Sequence, residues 1–197
     1  MIVVGLDLSG KDTNPSGFCT IFYKEHEITS FQSLVDNIEK VIVEDVFSNE
    51  DIVNRIKELN PNLAAIDAPF GIAKDIWRTS ETFLLTKGFK PVSTQLINMR
   101  GLAERAVSIN NQLIGYRKIE TFTKAIESIL QINKEYFLDS IRDRLEKKGN
   151  WNRGKISKDQ YDSILCGLCA LLHLQNKTEQ IGNKLDATDL IILPLMQ

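Results

Sequence analysis

The stretch that decides the fold is residues 1–10, Met-Ile-Val-Val-Gly-Leu-Asp-Leu-Ser-Gly. A short, apolar, β-branched run of this kind predicts an interior strand over Met1–Leu8, buried on both faces. Asp7 stands near its end, just ahead of a Ser-Gly turn. A carboxylate among apolar residues is costly to bury unless it is paired or binds a metal. The alternative is that Asp7 simply caps the turn.

A second apolar strand ends in the same way, at Asp67. Ser48 is a plausible cap of a helix that stops at Asn60-Pro61, and the strand Leu63–Asp67 follows. Ala-Pro-Phe-Gly comes next and cannot extend the strand. Because a strand, a helix and a strand in this order favour parallel pairing, we expect both carboxylates at one edge of a sheet. That edge is where open α/β sheets bind ligands, although Asp67 could also be a turn cap.

The remaining patterns predict one α/β domain over residues 1–197, with an antiparallel meander followed by parallel strands in a mixed sheet flanked by helices. Further strands are predicted at Ser16–Tyr23 and Glu27–Leu34 (a hairpin), Val41–Val46, Ile114–Phe122 and Asp189–Pro194. Further helices are predicted at Gln95–Leu113, Lys124–Leu130, Lys134–Leu145 and Lys158–Gln175.

Composition narrows the class of protein. Hydrophobic residues make up 43% and charged residues 25%, as in ordinary globular proteins. The net charge of −2 argues against a protein that coats DNA through a global positive field. Three cysteines, an odd number, suit a reducing cytosol better than a disulfide scaffold. With no signal-peptide pattern and no apolar run of about 20 residues, we expect a cytoplasmic protein without a membrane partner.

Further carboxylates lie on the late helix and on the strand before it. Asp159 and Asp162 are three residues apart, so they share a face of the helix near its N-terminus, whose dipole favours anions. Glu120 is a fifth candidate, near the end of its predicted strand. The alternatives are that Asp159 only complements the helix dipole and that Glu120 is a satisfied strand-end carboxylate. Oxygen ligands without a nearby His or Cys suit Mg²⁺ or Mn²⁺ rather than zinc.

Several segments together resemble an uncharacterised family of predicted RNase H-like nucleases. The segments that carry the resemblance are Gly5–Gly10, Pro15–Phe18, Ile66–Gly71, Met99 with Leu102 and Arg105, Ile119-Glu120, Asp159–Ala170 and Ile191–Pro194. The resemblance covers most of the chain and implies an RNase H-like core, in which three antiparallel strands are followed by a crossover helix and parallel strands.

The same resemblance implies a reaction and its residues. Asp7, Asp67, Asp162 and Asp159 occupy the positions of the superfamily's metal ligands, and Glu120 that of the family's acidic residue on the middle strand. Two divalent ions about 3.5–4 Å apart would activate water and stabilise the leaving oxygen of a phosphodiester. The implied substrate is nucleic acid, either DNA or RNA.

The chain departs from the family pattern at two positions. Thr123 stands where the family often has Pro, and Ser80 where it often has Cys.

A basic stretch precedes the acidic helix. Residues 142–158 hold seven basic side chains against two acidic ones. The candidate nucleic-acid contacts are Lys147, Lys148, Trp151, Arg153 and Lys155, with the lysines and arginine on phosphates and Trp151 stacked on a base. A solvated loop is the alternative.

Two other functions remain open on the sequence. The stretch Gly5–Gly10 resembles the first phosphate loop of actin-like and sugar-kinase ATPases, which would make the chain a nucleotide-binding module. Those proteins enclose the nucleotide between two such domains, whereas 197 residues supply one. The chain could also be a non-catalytic domain that kept the fold, because a fold alone does not define a function. Nothing in the sequence indicates an oligomeric state.

Overall fold

Strands and helices alternate along most of the chain in the computed structural model, which describes residues 1–148 and 156–195. The strands are β1 (Ile2–Asp7), β2 (Ser16–Tyr23), β3 (Ile38–Val46), β4 (Leu63–Asp67), β5 (Lys118–Glu120), β6 (Leu145–Lys147), β7 (Thr178–Gly182) and β8 (Leu190–Pro194). The helices are α1 (Phe31–Asp36), α2 (Asn49–Leu59), α3 (Thr79–Thr86), α4 (Ile97–Gln112), α5 (Thr123–Ile129), α6 (Lys134–Ser140) and α7 (Lys158–Leu174).

The main sheet has six strands in the order β5-β4-β1-β2-β3-β6. Only β2 runs antiparallel to its neighbours; β4 and β5 continue in parallel from β1, and β6 is parallel to β3. The carboxyl ends of β1, β3, β4, β5 and β6 therefore meet at one edge of the sheet, which we call the carboxyl edge. The predicted mixed α/β sheet is confirmed, and β7 and β8 form a separate antiparallel pair.

The two faces of the sheet carry different helices, because side chains alternate along each strand. Val3 and Ala65 pack with the apolar face of α7 and with α1, α5 and α6. Val4 and Leu6 point the other way and pack against α2 and α4. A smaller cluster joins α3 and α5 to the β7–β8 pair. The carboxyl edge thus lies between two helical layers.

Three sequence predictions of local structure were wrong. Glu27–Leu34 is not the second strand of a hairpin, because Ser30 and Ser33 form a reciprocal capping box that starts α1, and β3 pairs with β2 instead. The strand predicted over Ile114–Phe122 is only three residues long, since a turn at Gly115 (φ +89°) precedes it. The helix predicted over Lys134–Leu145 ends at Ser140, and Leu145 begins the edge strand β6.

No helix in the described part of the chain is long and apolar enough to cross a bilayer.

Candidate metal centre

Asp7 and Asp67 are neighbours at the carboxyl edge. They are Cα partners in the parallel ladder of β1 and β4, so their side chains leave the same face of the sheet from neighbouring strands, whose backbones lie about 4.8 Å apart. That face is the one covered by α7. Burial, together with repulsion from Asp67, Asp162 and Asp159, raises the pKa of Asp7 to about 8. The four carboxylates therefore form one electrostatic group, named here the acidic cluster.

Two glycines let α7 approach the sheet closely enough to bring its carboxylates there. A Cβ atom on Gly5 would lie 1.9 Å from the carbonyl oxygen of Ser163, and one on Gly17 would lie 1.9 Å from that of Asp159. Gly17 is the antiparallel partner of Asp7. The backbone of α7 at Asp159 is thus packed directly against the strand residue beside Asp7.

The N-terminus of α7 is anchored in this position by its own caps. The Ser157 hydroxyl accepts a hydrogen bond from the Gln160 amide, and the Gln160 side-chain oxygen accepts one from the Ser157 amide. The Gln160 side-chain amide also donates to Asp45 of β3 over 2.8 Å. A capping box typically contributes about 1 kcal/mol, and here it also orients the first turn. Asp162, one turn into the helix, is only 8% exposed.

A lysine supplies positive charge to the acidic cluster. Lys158 Nζ donates a hydrogen bond to Asp162 Oδ2 and makes the only salt bridge to that carboxylate among the described residues. This bond, with the negative charges of Asp7 and Asp159, raises the pKa of Lys158 despite partial burial. The ammonium group therefore offsets part of the repulsion that the carboxylates exert on one another.

Thr123 holds Asp67, a role that no local sequence pattern indicated. The Thr123 hydroxyl donates to Asp67 Oδ2 over 2.5 Å, and its backbone amide lies 3.4 Å from the same oxygen. Burial raises the pKa of Asp67 to about 6, and the two bonds from Thr123 oppose that shift. The available signal was the departure from the family pattern, because Pro at this position could provide neither donor.

Glu120 is not brought into the acidic cluster. It is the parallel partner of Ile66, so its side chain leaves the opposite face of the sheet from Asp67. There it is 3% exposed and accepts bonds from both terminal nitrogens of Arg78, at 2.5 and 2.9 Å, and from the Phe70 amide. Although burial opposes the charge, Glu120 and Glu81 raise the pKa of Arg78 well above its ordinary value. These contacts tie β5 to α3, while a catalytic role of Glu120 stays a prediction.

Arg105 holds the loop that follows Asp7 at the end of β1 through hydrogen bonds. Its guanidinium group, on α4, donates to the carbonyl oxygens of Ser9 and Lys11 over 2.8 and 3.0 Å, to the carbonyl of Phe47 and to Asn49 Oδ1 over 2.7 Å. The residue is 7% exposed. Its position in the family pattern singled it out, but only the tertiary structure identifies its partners.

The basic stretch is only partly described. Lys147 and Lys148 lie at the end of β6, and the Lys148 amide donates to the carbonyl of Val43 over 2.9 Å. They stand at the carboxyl edge, three strands from β1, which corresponds to about 14 Å across the sheet. The predicted contacts Trp151, Arg153 and Lys155 lie outside the described residues.

The acidic cluster offers oxygen ligands to a divalent metal. Carboxylates close enough to raise the pKa of Asp7 are stabilised by a dication, and Mg²⁺ and Mn²⁺ prefer such ligands. Within residues 1–148 and 156–195, however, no group of three ligating side chains converges as in a formed metal site. Lys158 and Thr123 each hold one carboxylate, at Asp162 and Asp67. The carboxylate oxygens of the acidic cluster fit a hard divalent ion, although Lys158 and Thr123 already bind two of those oxygens.

Comparison with solved structures identifies the fold. The RuvC structure of Thermus thermophilus matches with a TM-score of 0.51 and 13% sequence identity, over 89% of this chain and 97% of that one. The T. thermophilus RuvC complex with a Holliday junction substrate matches with a TM-score of 0.48 and 14% identity, over 85% and 90% of the two chains. No protein-family model matches the sequence, and no curated protein matches it. The first similarity, over nearly the whole chain, shows that this chain has the RNase H-like fold of that structure.

Proposed function

We propose that this RNase H-like chain is a divalent-metal-dependent nuclease that hydrolyses phosphodiester bonds at the acidic cluster. The observation that carries the proposal is the register of Asp7 beside Asp67, with the first turn of α7 packed against Gly17. Two strands and one helix bring four carboxylates near enough to one another to raise the pKa of Asp7. They lie at the edge where α/β sheets bind ligands. The RNase H-like fold supports a nuclease, while the metal and the substrate are proposals from the donor set.

Each residue has a role in the proposal. Asp7 and Asp67 hold the metal from the sheet, and Asp162 with Asp159 from α7. Bound Mg²⁺ or Mn²⁺ would supply the charge that lowers the pKa of a water molecule and stabilises a phosphate leaving group. Lys158 balances the carboxylates before the metal binds, and Thr123 fixes the orientation of Asp67. Arg105 holds the loop beside Asp7 in place.

Lys147 and Lys148 are proposed to bind substrate phosphates, because they stand at the carboxyl edge with the carboxylates. We extend this role to Trp151, Arg153 and Lys155 from the sequence alone. A nucleic acid is the partner that matches cations placed beside a metal-binding cluster. The chain is further proposed to act as one domain over residues 1–197.

Cleavage assays test the proposed function directly. The purified chain is incubated with Mn²⁺ or Mg²⁺ and with labelled single-stranded, duplex and branched DNA and RNA. We expect cleavage of at least one substrate, its loss in EDTA, and a decrease of at least 100-fold in Asp7→Asn and Asp67→Asn. Asp36→Asn, which changes an exposed carboxylate at the end of α1, is the matched control. Absence of cleavage on every substrate, or full activity of Asp7→Asn, contradicts the proposal, and ATP turnover would favour a nucleotide-binding module.

A further inference from the structure

A basic groove lies on the surface between α5 and the segment that follows α3. Its volume is about 630 Å³, and its lining includes the three lysines Lys87, Lys90 and Lys124, with Phe89 and Ile129 as its larger apolar side chains. None of the described residues that line it is acidic. This combination of cations around apolar side chains differs from the acidic cluster and lies outside the basic stretch found in the sequence.

The groove reaches to within one residue of a side chain that holds the acidic cluster. Thr123, the first residue of α5, bonds Asp67, and Lys124 is the next residue in the chain. Since α5 has seven residues, it extends about 10 Å from that point, and the groove follows it to Gln131. The carboxyl edge therefore has Lys147 and Lys148 on the β6 side of the acidic cluster and this groove on the β5 side.

The charges of the groove are only partly compensated within the chain. Lys87 forms an ion pair with Glu179 over 2.9 Å, in which both side chains are about one-third exposed. In the described part of the chain, no salt bridge reaches Lys90 or Lys124, and both side chains are exposed. Lys124 also stands in the first turn of a helix, where a cation opposes the helix dipole. Its charge therefore does not stabilise the helix, and a polyanion is the complementary partner.

The apolar side chains favour a single strand over a duplex. Phe89 is held edge-on against Phe122, with ring centroids 6.4 Å apart, and remains partly exposed. A fixed aromatic side chain next to lysines is what proteins use to stack unpaired bases while cations bind the backbone. We infer that this groove binds a single nucleic-acid strand and leads it to the acidic cluster, an inference that rests on the proposed nuclease function.

Binding without metal tests the inference separately from cleavage. The double variant Lys90→Ser/Lys124→Ser and the variant Phe89→Leu are titrated into fluorescein-labelled dT12 and U12 in EDTA, with anisotropy read at several salt concentrations. We expect the lysine variant to bind about tenfold more weakly at low salt. Its slope of log affinity against log salt should be shallower by about 1.4, or 0.7 for each lost contact. Phe89→Leu should weaken binding of single strands and leave duplex binding unchanged.

The control is Lys24→Ser/Lys57→Ser, which removes two exposed lysines away from the groove, and it should bind as the wild type does. The inference is overturned if the wild type does not bind single strands, or if Lys90→Ser/Lys124→Ser keeps the wild-type affinity and slope. It is also overturned if the control loses as much affinity, or if the wild type binds polyglutamate equally well. If the lysine variant loses binding but the wild type never cleaves, strand binding by the groove is supported and the nuclease proposal fails. If the wild type cleaves and the lysine variant binds normally, only the groove inference fails.

Discussion

Asp7 of β1 and Asp67 of β4 are direct partners in a parallel ladder, and the Asp7 position is also paired, on its other side, with Gly17. The pairing brings two carboxylates together on one face, and the glycine leaves room for the helix that carries two more. The cluster is therefore a product of strand register and of one close helix–sheet contact. Both features can be tested separately.

Stability of the metal-free protein should depend on pH through Asp7. Its pKa is about 8 in the folded chain, against about 3.9 for an unfolded Asp. Between about pH 4 and pH 8 the folded state keeps a proton that the unfolded state has lost, so the free energy of unfolding should fall as pH rises. Asp67, with a pKa of about 6, adds to the fall in the lower part of this window.

Urea denaturation in EDTA at a series of pH values measures this dependence. Asp7→Asn should flatten the decline between pH 6 and pH 8, because Asn does not titrate, whereas Asp36→Asn should leave it unchanged. An Asp7→Asn protein with the wild-type slope would show that Asp7 does not carry the effect.

The close contact of α7 predicts the effect of Gly17→Ala. The added Cβ would lie 1.9 Å from the Asp159 carbonyl oxygen, so the helix must shift. We expect a loss of about 3 kcal/mol in the free energy of unfolding and weaker Mn²⁺ binding, because Asp159 and Asp162 move with the helix. Chemical denaturation and Mn²⁺ titration by electron paramagnetic resonance measure the two effects.

Gly101→Ala is the matched control. Gly101 lies inside α4, where an added Cβ would lie 3.7 Å from the carbonyl oxygen of Gly10, an ordinary contact. Alanine should therefore stabilise the helix by about 0.5–1 kcal/mol. Equal stability of Gly17→Ala and the wild type would contradict the close packing of α7 on β2.

Lys158→Met should increase the affinity for Mn²⁺. The Lys158 ammonium group holds Asp162 Oδ2, an oxygen that the proposed metal would need, so the lysine would compete with that metal. We expect about tenfold tighter binding, equivalent to about 1.4 kcal/mol, together with lower stability in EDTA. Isothermal titration calorimetry measures the affinity, with Lys57→Met as the control on α2. Weaker Mn²⁺ binding in Lys158→Met would show instead that the lysine supports the metal site.

Glu120→Gln should affect folding rather than chemistry. The change removes one charge of a buried network and leaves Glu81 as the one carboxylate that pairs with Arg78 among the described residues. It should destabilise the chain by about 3 kcal/mol. Cleavage per folded molecule should stay within twofold of the wild type. Glu104→Gln, in a pair that is more than half exposed, should change stability by less than about 0.5 kcal/mol. Loss of cleavage in a fully folded Glu120→Gln protein would instead support the catalytic role predicted from the sequence.

Local patterns were sufficient where neighbours along the chain decide the structure. The apolar run before Asp7, the Ser48 cap and the period of α7 predicted β1, α2 and α7 within a residue or two. Elsewhere a stronger local contact prevailed, as at Ser30 and Ser33, where a capping box forms a helix in a segment whose composition suggested a strand.

The sequence by itself determined the mixed α/β sheet and the placement of Asp7 and Asp67 at strand ends, because hydrophobic periodicity and turn residues act locally. Only the tertiary structure decided which side chains share a face. It separates Glu120 from Asp67, although both lie at the ends of neighbouring strands, because their register differs by one residue. It also brings Lys158 to Asp162 and Thr123 to Asp67, and it forms the groove beside α5. Those contacts join segments through packing and charge, which no local pattern encodes.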